Sequence, residues 1–158
     1  MIDYYRPFIT LVYREVLRFL VLYKQTIMPG IISTALYLII FGHALGSRIG
    51  LINNVEYIHF IIPGLTMMAV INQSYANSSS SIMQAKYLKF IEDYLIAPVS
   101  GFELSMSFII GAMLRGIING ILIIITCWFL TDFTITNYSL SLFFLIIVSC
   151  VFGAIGVI

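Results

Sequence analysis

Four long apolar runs separated by charged residues organise this chain. No formal charge occurs between Lys24 and Arg48, between Glu56 and Lys86, or after Asp132, and Arg115 stands alone between Glu103 and Asp132. A helix needs about 20 apolar residues to cross about 30 Å of hydrocarbon. The pattern therefore predicts helical spans over 27–46, 57–75, 107–130 and 138–158. The runs are continuous rather than alternating, which argues for helices and against strands.

Two shorter stretches have a different pattern. In 2–24, Thr10, Arg14 and Arg18 fall on one helical face, with Phe8, Val12, Val16, Phe19 and Leu20 opposite. Such a segment predicts an amphipathic helix in the cytoplasmic interface, with Tyr4, Tyr5, Tyr13 and Tyr23 at headgroup depth. It would serve either as a docking or gating helix or as a plain anchor. In 85–98, Tyr87, Phe90, Ile91, Tyr94 and Leu95 form one helical face, and Lys86, Lys89, Glu92 and Asp93 the other. Pro98 stops that predicted helix. Ser100 and Glu103 then have capping-box spacing for the next one. The charged face is a surface for a cytoplasmic partner or a face solvated among headgroups.

Composition sharpens the class. Of 158 residues, 61% are hydrophobic and 9% charged, and the mean hydropathy is +1.05. A soluble domain carries about 25% charged residues. So few charges cannot cover a soluble globule, and the chain reads as an all-α polytopic membrane protein. A net charge of +1 supplies no basic patch for nucleic acid. Lys and Arg are concentrated before the first span and between the second and third, which predicts a cytoplasmic N-terminus. Cys127 and Cys150 lie in apolar runs and read as small buried hydrophobes.

Within the spans, Arg115 is the one ionisable residue, at an insertion cost of at least about 2.5 kcal/mol. It either faces the bundle and holds an anionic group or a neighbouring helix, or it snorkels to the interface. Gly42 and Gly46, and likewise Ala112, Gly116 and Gly120, recur at four-residue spacing and predict helix-packing faces. Asn72, Gln73, Ser74 and Asn77, followed by Ser78 to Ser81, predict interhelical hydrogen bonds or a polar lining. His43 and His59 have no partners at metal-ligand spacing. No carboxylate lies in a predicted span, which disfavours a proton- or sodium-coupled carrier. The sequence contains no GxxxxGK[ST], HExxH or GxSxG, so no nucleotide site, protease or lipase chemistry is supported.

Several features, taken in order, resemble the permease subunit of type-2 ABC exporters, especially the YadH-like group. They are Gln25-Thr26-Ile27 with Pro29, Leu36-Tyr37, Phe41-Gly42, Gly46-Ser47-Arg48-Ile49-Gly50, Phe60-Ile61-Ile62-Pro63-Gly64-Leu65, Met67-Met68 and Ser74-Tyr75-Ala76-Asn77. Lys86, Ile91-Glu92, Leu95, Ala97-Pro98 and Arg115-Gly116 complete the set. The resemblance implies a six-span permease in a bacterial inner membrane, of which these four spans are the first part; the sequence reads as truncated. It implies that 85–98 is the coupling helix, with Lys86, Lys89, Glu92, Asp93 and Pro98 at the junction with a separate ATP-binding subunit. It further implies a second permease copy, surrounding membrane lipids, and ATP bound only by the partner. A non-transporting membrane anchoring subunit and, more remotely, a secondary carrier are the competing readings.

Overall fold

The computed structural model describes residues 2–52, 55–97, 99–135 and 137–158. Seven helices account for most of them: α1 (Ile2–Val21), α2 (Tyr23–Thr26), α3 (Met28–Ile49), α4 (Tyr57–Tyr87), α5 (Ile91–Ile96), α6 (Gly101–Thr131) and α7 (Tyr138–Ile155). Helices dominate because a chain in hydrocarbon must satisfy its backbone polar groups within each segment. The exception is a two-residue antiparallel ladder, β1 (Leu51–Ile52) with β2 (Val55–Glu56), pairing Leu51 with Glu56 and Ile52 with Val55. It joins α3 to α4 after Gly50, whose φ of +70° suits a residue without Cβ.

Helices α4 and α6 form the central pair, α7 packs on both, and α3 closes another side. α1 runs along α6. Leu38, Ile62, Ile123 and Cys127 form one buried cluster, with Phe133 against it; Ala85, Tyr94 and Phe108 form a second, with Leu11, Leu104 and Val157 against it. Close approach depends on small residues. A Cβ on Gly116 would collide with Ser74 Oγ and come within 3.0 Å of Ser149 Oγ; one on Gly120 would come within 2.8 Å of Val70. Ala112 is fully buried, and a Cβ on Gly42 would lie 2.5 Å from Ile58. Gly46 lies in α3, at a position where the side-chain environment falls outside the described set.

Among the described residues, three stretches are long and apolar enough to cross a membrane, Tyr23–Gly42, Gly101–Thr131 and Tyr138–Ile155. α4, which contains the expected 57–75 span, is long enough but less apolar, because Tyr57, His59, Asn72 and Gln73 dilute its run. The expected single helix over 85–98 is broken. Residues 85–87 end α4, Lys89 sits at φ +61°, and α5 starts afresh at Ile91. The left-handed residue changes the helical register, so Tyr87 is 86% exposed whereas Tyr94 is buried. Pro98 lies outside the described residues; α5 ends at Ile96 with Ala97 extended. Cys150 is exposed on α7, unlike buried Cys127, because it shares the outward side with Phe143, Ile147 and Val151.

The side of α1 that meets the bundle carries both polar and apolar residues. Glu15 and Phe19 are buried, whereas Ile9, Tyr13, Leu17 and Val21 are exposed. Glu15 thus turns toward the bundle with Phe19, Arg18 is partly buried beside it, Arg6 and Arg14 stay exposed, and an apolar edge turns away. In a lipid surround this is favourable, since the apolar edge meets apolar solvent while Glu15 and Arg18 find partners.

Gly116→Leu should lower the yield of folded, monodisperse protein in detergent severalfold. Ile118→Leu, a volume-conserving change on the same helix, should leave it near wild type. Equal yields would contradict the Gly116 contact with α4 and α7.

Candidate functional site

A polar seam crosses the bundle where α1, α4 and α6 meet. Its α4 side is set by residues three and four apart, Ser74, Asn77, Ser78 and Ser81, all buried. From α1, Arg18 Nη1 donates to Gln84 Oε1 at 3.1 Å. Arg18 Nη2 donates to the Asn77 carbonyl at 3.1 Å, to Asn77 Oδ1 at 3.3 Å, and to Ser81 Oγ. Glu15, 4% exposed, accepts from Ser81 Oγ at 2.6 Å and lies 3.6 Å from Arg18 Nη2. Gly111 on α6 makes room for it: a Cβ there would sit 2.8 Å from the Glu15 Cβ.

Arg115 enters the same seam from α6. Its Nε and Nη2 donate to Gln73 Oε1 at 3.1 and 2.7 Å, and its Nη1 donates to Asn77 Oδ1 at 3.1 Å. Of the two alternatives for this residue, the bundle-facing one describes its position. Charge-assisted hydrogen bonds contribute about 1.5–3 kcal/mol each, enough for these to offset the insertion cost of the charge. Asn77 Oδ1 thus receives both guanidinium groups. Gln73 also lines a 330 Å³ cleft between α3 and α4, together with Ser33, Tyr37 and Asn72. Asn119 Nδ2 donates to the Arg115 carbonyl at 3.1 Å, while its buried Oδ1 has no partner among the described residues.

The second part of the site is the connection from α4 to α6. Glu92 and Asp93 are exposed on α5, and Lys86 and Lys89 are exposed just before it. Lys89 precedes α5 at positive φ, so its four-residue spacing to Asp93 does not bring the two charges together on one helical face. Tyr94 points inward, edge-on to Phe108 of α6 with centroids 6.2 Å apart. Burial pushes the Tyr94 hydroxyl above its ordinary pKa, with nearby Arg14 opposing the shift. The ring therefore stays neutral at physiological pH. α6 begins immediately afterwards with a complete capping box: Glu103 N donates to Ser100 Oγ at 3.2 Å, and Ser100 N donates to Glu103 Oε2 at 2.8 Å. His59 sits apart, its Nε2 2.9 Å from the Thr131 carbonyl, and the His43 side chain lies outside the described set.

The sequence reading named Arg115, Gln73, Asn77 and Ser81 and placed Arg18 on the polar face of an interfacial helix, but it missed Glu15. Two sequence signals mark the network. Glu15 and Arg18 are opposite charges at i, i+3, and the polar run of α4 repeats at helical spacing, toward one face.

A helical bundle with long apolar helices and a polar, arginine-bearing seam defines a multi-pass membrane protein. The chain matches the ABC-2 type transporter family over residues 6–158 and belongs to that family. It is 36% identical over 143 residues to the inner membrane transport permease YadH of Escherichia coli (strain K12), and to the proteins of the same name from Escherichia coli O157:H7 and Shigella flexneri. The match takes in 90% of this chain and 56% of each relative, so the chain spans a little over half the length of the curated relatives it matches. No solved structure matches it at a significant level.

Asn77→Leu should lower the thermal stability of the purified chain by about 3 kcal/mol or more, because it removes the acceptor shared by two partly buried guanidinium groups. Asn77→Asp, which keeps an oxygen at that point and adds an opposing charge, should retain or raise stability. Comparable unfolding temperatures for the Leu variant and wild type would show that the shared oxygen does not hold the seam together.

Proposed function

We propose that this chain is part of the permease subunit of an ATP-binding cassette exporter in a bacterial inner membrane. In this reading α3, α4, α6 and α7 all cross the membrane, and the N-terminus, α5 and the start of α6 are cytoplasmic. A separate ATP-binding subunit docks on the α4–α6 connection and hydrolyses ATP; this chain carries no catalytic group or cofactor of its own. Two permease copies pair with two ATPases. The cleft lined by Asn72 and Gln73 contributes polar groups to the substrate path.

One observation carries the docking assignment most directly. α5 exposes Glu92 and Asp93 while Tyr94 on its other side is buried against Phe108. The capping box then restarts α6 without slack. A push received at Glu92 is therefore delivered to α6 through a packed aromatic pair and a fixed turn, rather than being absorbed in a loose loop. The family membership, the likeness to inner membrane transport permeases and the basic residues flanking the apolar runs support the same reading.

Glu92→Lys in the full-length permease, expressed with its ATPase, should lower ATPase co-purification and substrate-stimulated hydrolysis severalfold, with membrane abundance unchanged. Ile91→Asp, which disrupts the inner side of α5, should instead lower abundance. Intact co-purification and transport in Glu92→Lys would remove this face as the docking surface. Absence of any ATP-binding subunit from the purified wild type would favour the non-transporting anchoring role.

A further inference from the structure

A cavity of about 170 Å³ opens where α1, the end of α4 and the start of α5 meet. Arg14 and Arg18 stand one turn apart on its α1 wall, Ser81 and Gln84 contribute from α4, and Phe90 and Tyr94 from the connection. The wall also holds Glu15, but its carboxylate is 4% exposed and already engaged by Ser81 and Arg18. Two guanidinium groups against one carboxylate leave an excess positive charge. Arg18 Nε is buried without a hydrogen-bond partner among the described residues.

Arg14 is exposed, and its guanidinium lies over the rings of Phe90 and Tyr94, with Cζ 5.4 and 5.2 Å from their centroids. It has no ion pair or hydrogen bond with an acceptor among the described residues. A guanidinium seated on rings is fixed in orientation while its N–H edge stays available. That edge is a planar fork matched to two oxygens of a phosphate. Beside the cavity, Ile9, Tyr13 and Leu17 are 61%, 62% and 40% exposed on successive turns of α1. They form an apolar track leading away from Arg14, which a free anion would not use and an acyl chain would.

We propose that this cavity binds the phosphate of an anionic phospholipid, held by Arg14 and Arg18, with an acyl chain along Ile9, Tyr13 and Leu17. The bound lipid would join α1 to the α4–α5 break from outside, opposite the Arg18–Asn77 contact within the bundle. This inference stands independently of any ATPase partner.

The test is the melting temperature of the purified chain in detergent, titrated with phosphatidylglycerol, with diacylglycerol of the same acyl chains, or with inorganic phosphate. Phosphatidylglycerol alone should raise the melting temperature of wild type. Arg14→Ala should need about tenfold more of it for half the effect, the loss of one charge-assisted bidentate contact. Arg14→Lys, which keeps the charge but not the fork, should weaken the response in the same direction. Lys24→Ala, an equal charge change away from the cavity, should respond like wild type. An equal response in Arg14→Ala and Arg14→Lys to that of wild type would overturn the site. An equal effect of inorganic phosphate would make it a soluble-anion site and overturn the lipid assignment, and an equal effect of diacylglycerol would remove the phosphate from the account.

Discussion

The side-chain oxygen of Asn77 receives Arg18 from α1 and Arg115 from α6. Each guanidinium is too costly to leave unpaired in a helical bundle, and the nearest carboxylate, Glu15, lies beside Arg18. The carboxamide of one residue on α4 therefore fixes two other helices at once. Small residues make this possible: Gly111 admits Glu15, and Gly116 admits Ser74, bringing the backbones close enough for these short polar side chains to meet.

That constraint shapes the rest of the molecule. With Glu15 and Arg18 directed at α4, α1 turns Ile9, Tyr13, Leu17 and Val21 outward. It then runs along α6 and brings Arg14 over Phe90 and Tyr94 at the entrance to α5. The α4–α5 break is held from one side by Arg14 and from the other by the contact of Tyr94 with Phe108. The segment proposed to meet an ATPase is thus tied to α1 and α6 together, and through Asn77 to the middle of α4. Under the proposed docking, such ties would keep a local push from dissipating.

Much of the architecture was legible in the sequence because lipid imposes simple rules. Charge-free runs of membrane length marked α3 and α7, a run broken only by Arg115 marked α6, and four-residue spacing of Gly116 and Gly120 marked a packing face. Ser100 and Glu103 announced the start of α6. What escaped was orientation and register. Spacing placed Arg18 on a polar face with Thr10 and Arg14, but it could not say which of them meets partners in the bundle: Arg18 does so on α4, while Thr10 and Arg14 stay exposed. The left-handed turn at Lys89 carries no glycine or asparagine to signal it, so periodicity ran straight through a break. Arg115 was conspicuous as a lone charge, yet its partners on α4 could be identified only once α4 and α6 were seen side by side.

The orientation of α1 is the point on which these relations turn, and a nitroxide scan along it in lipid bilayers measures that orientation directly. Collision rates with dissolved oxygen, which partitions into the acyl region, should peak at positions 9, 13 and 17. They should be lowest at 12, 16 and 19, where the helix turns toward the bundle or is only partly exposed. Peaks at 12, 16 and 19 with minima at 9, 13 and 17 would mean that α1 lies on the membrane with Arg14 and Arg18 among the headgroups, and the shared Asn77 contact could not then hold the bundle together.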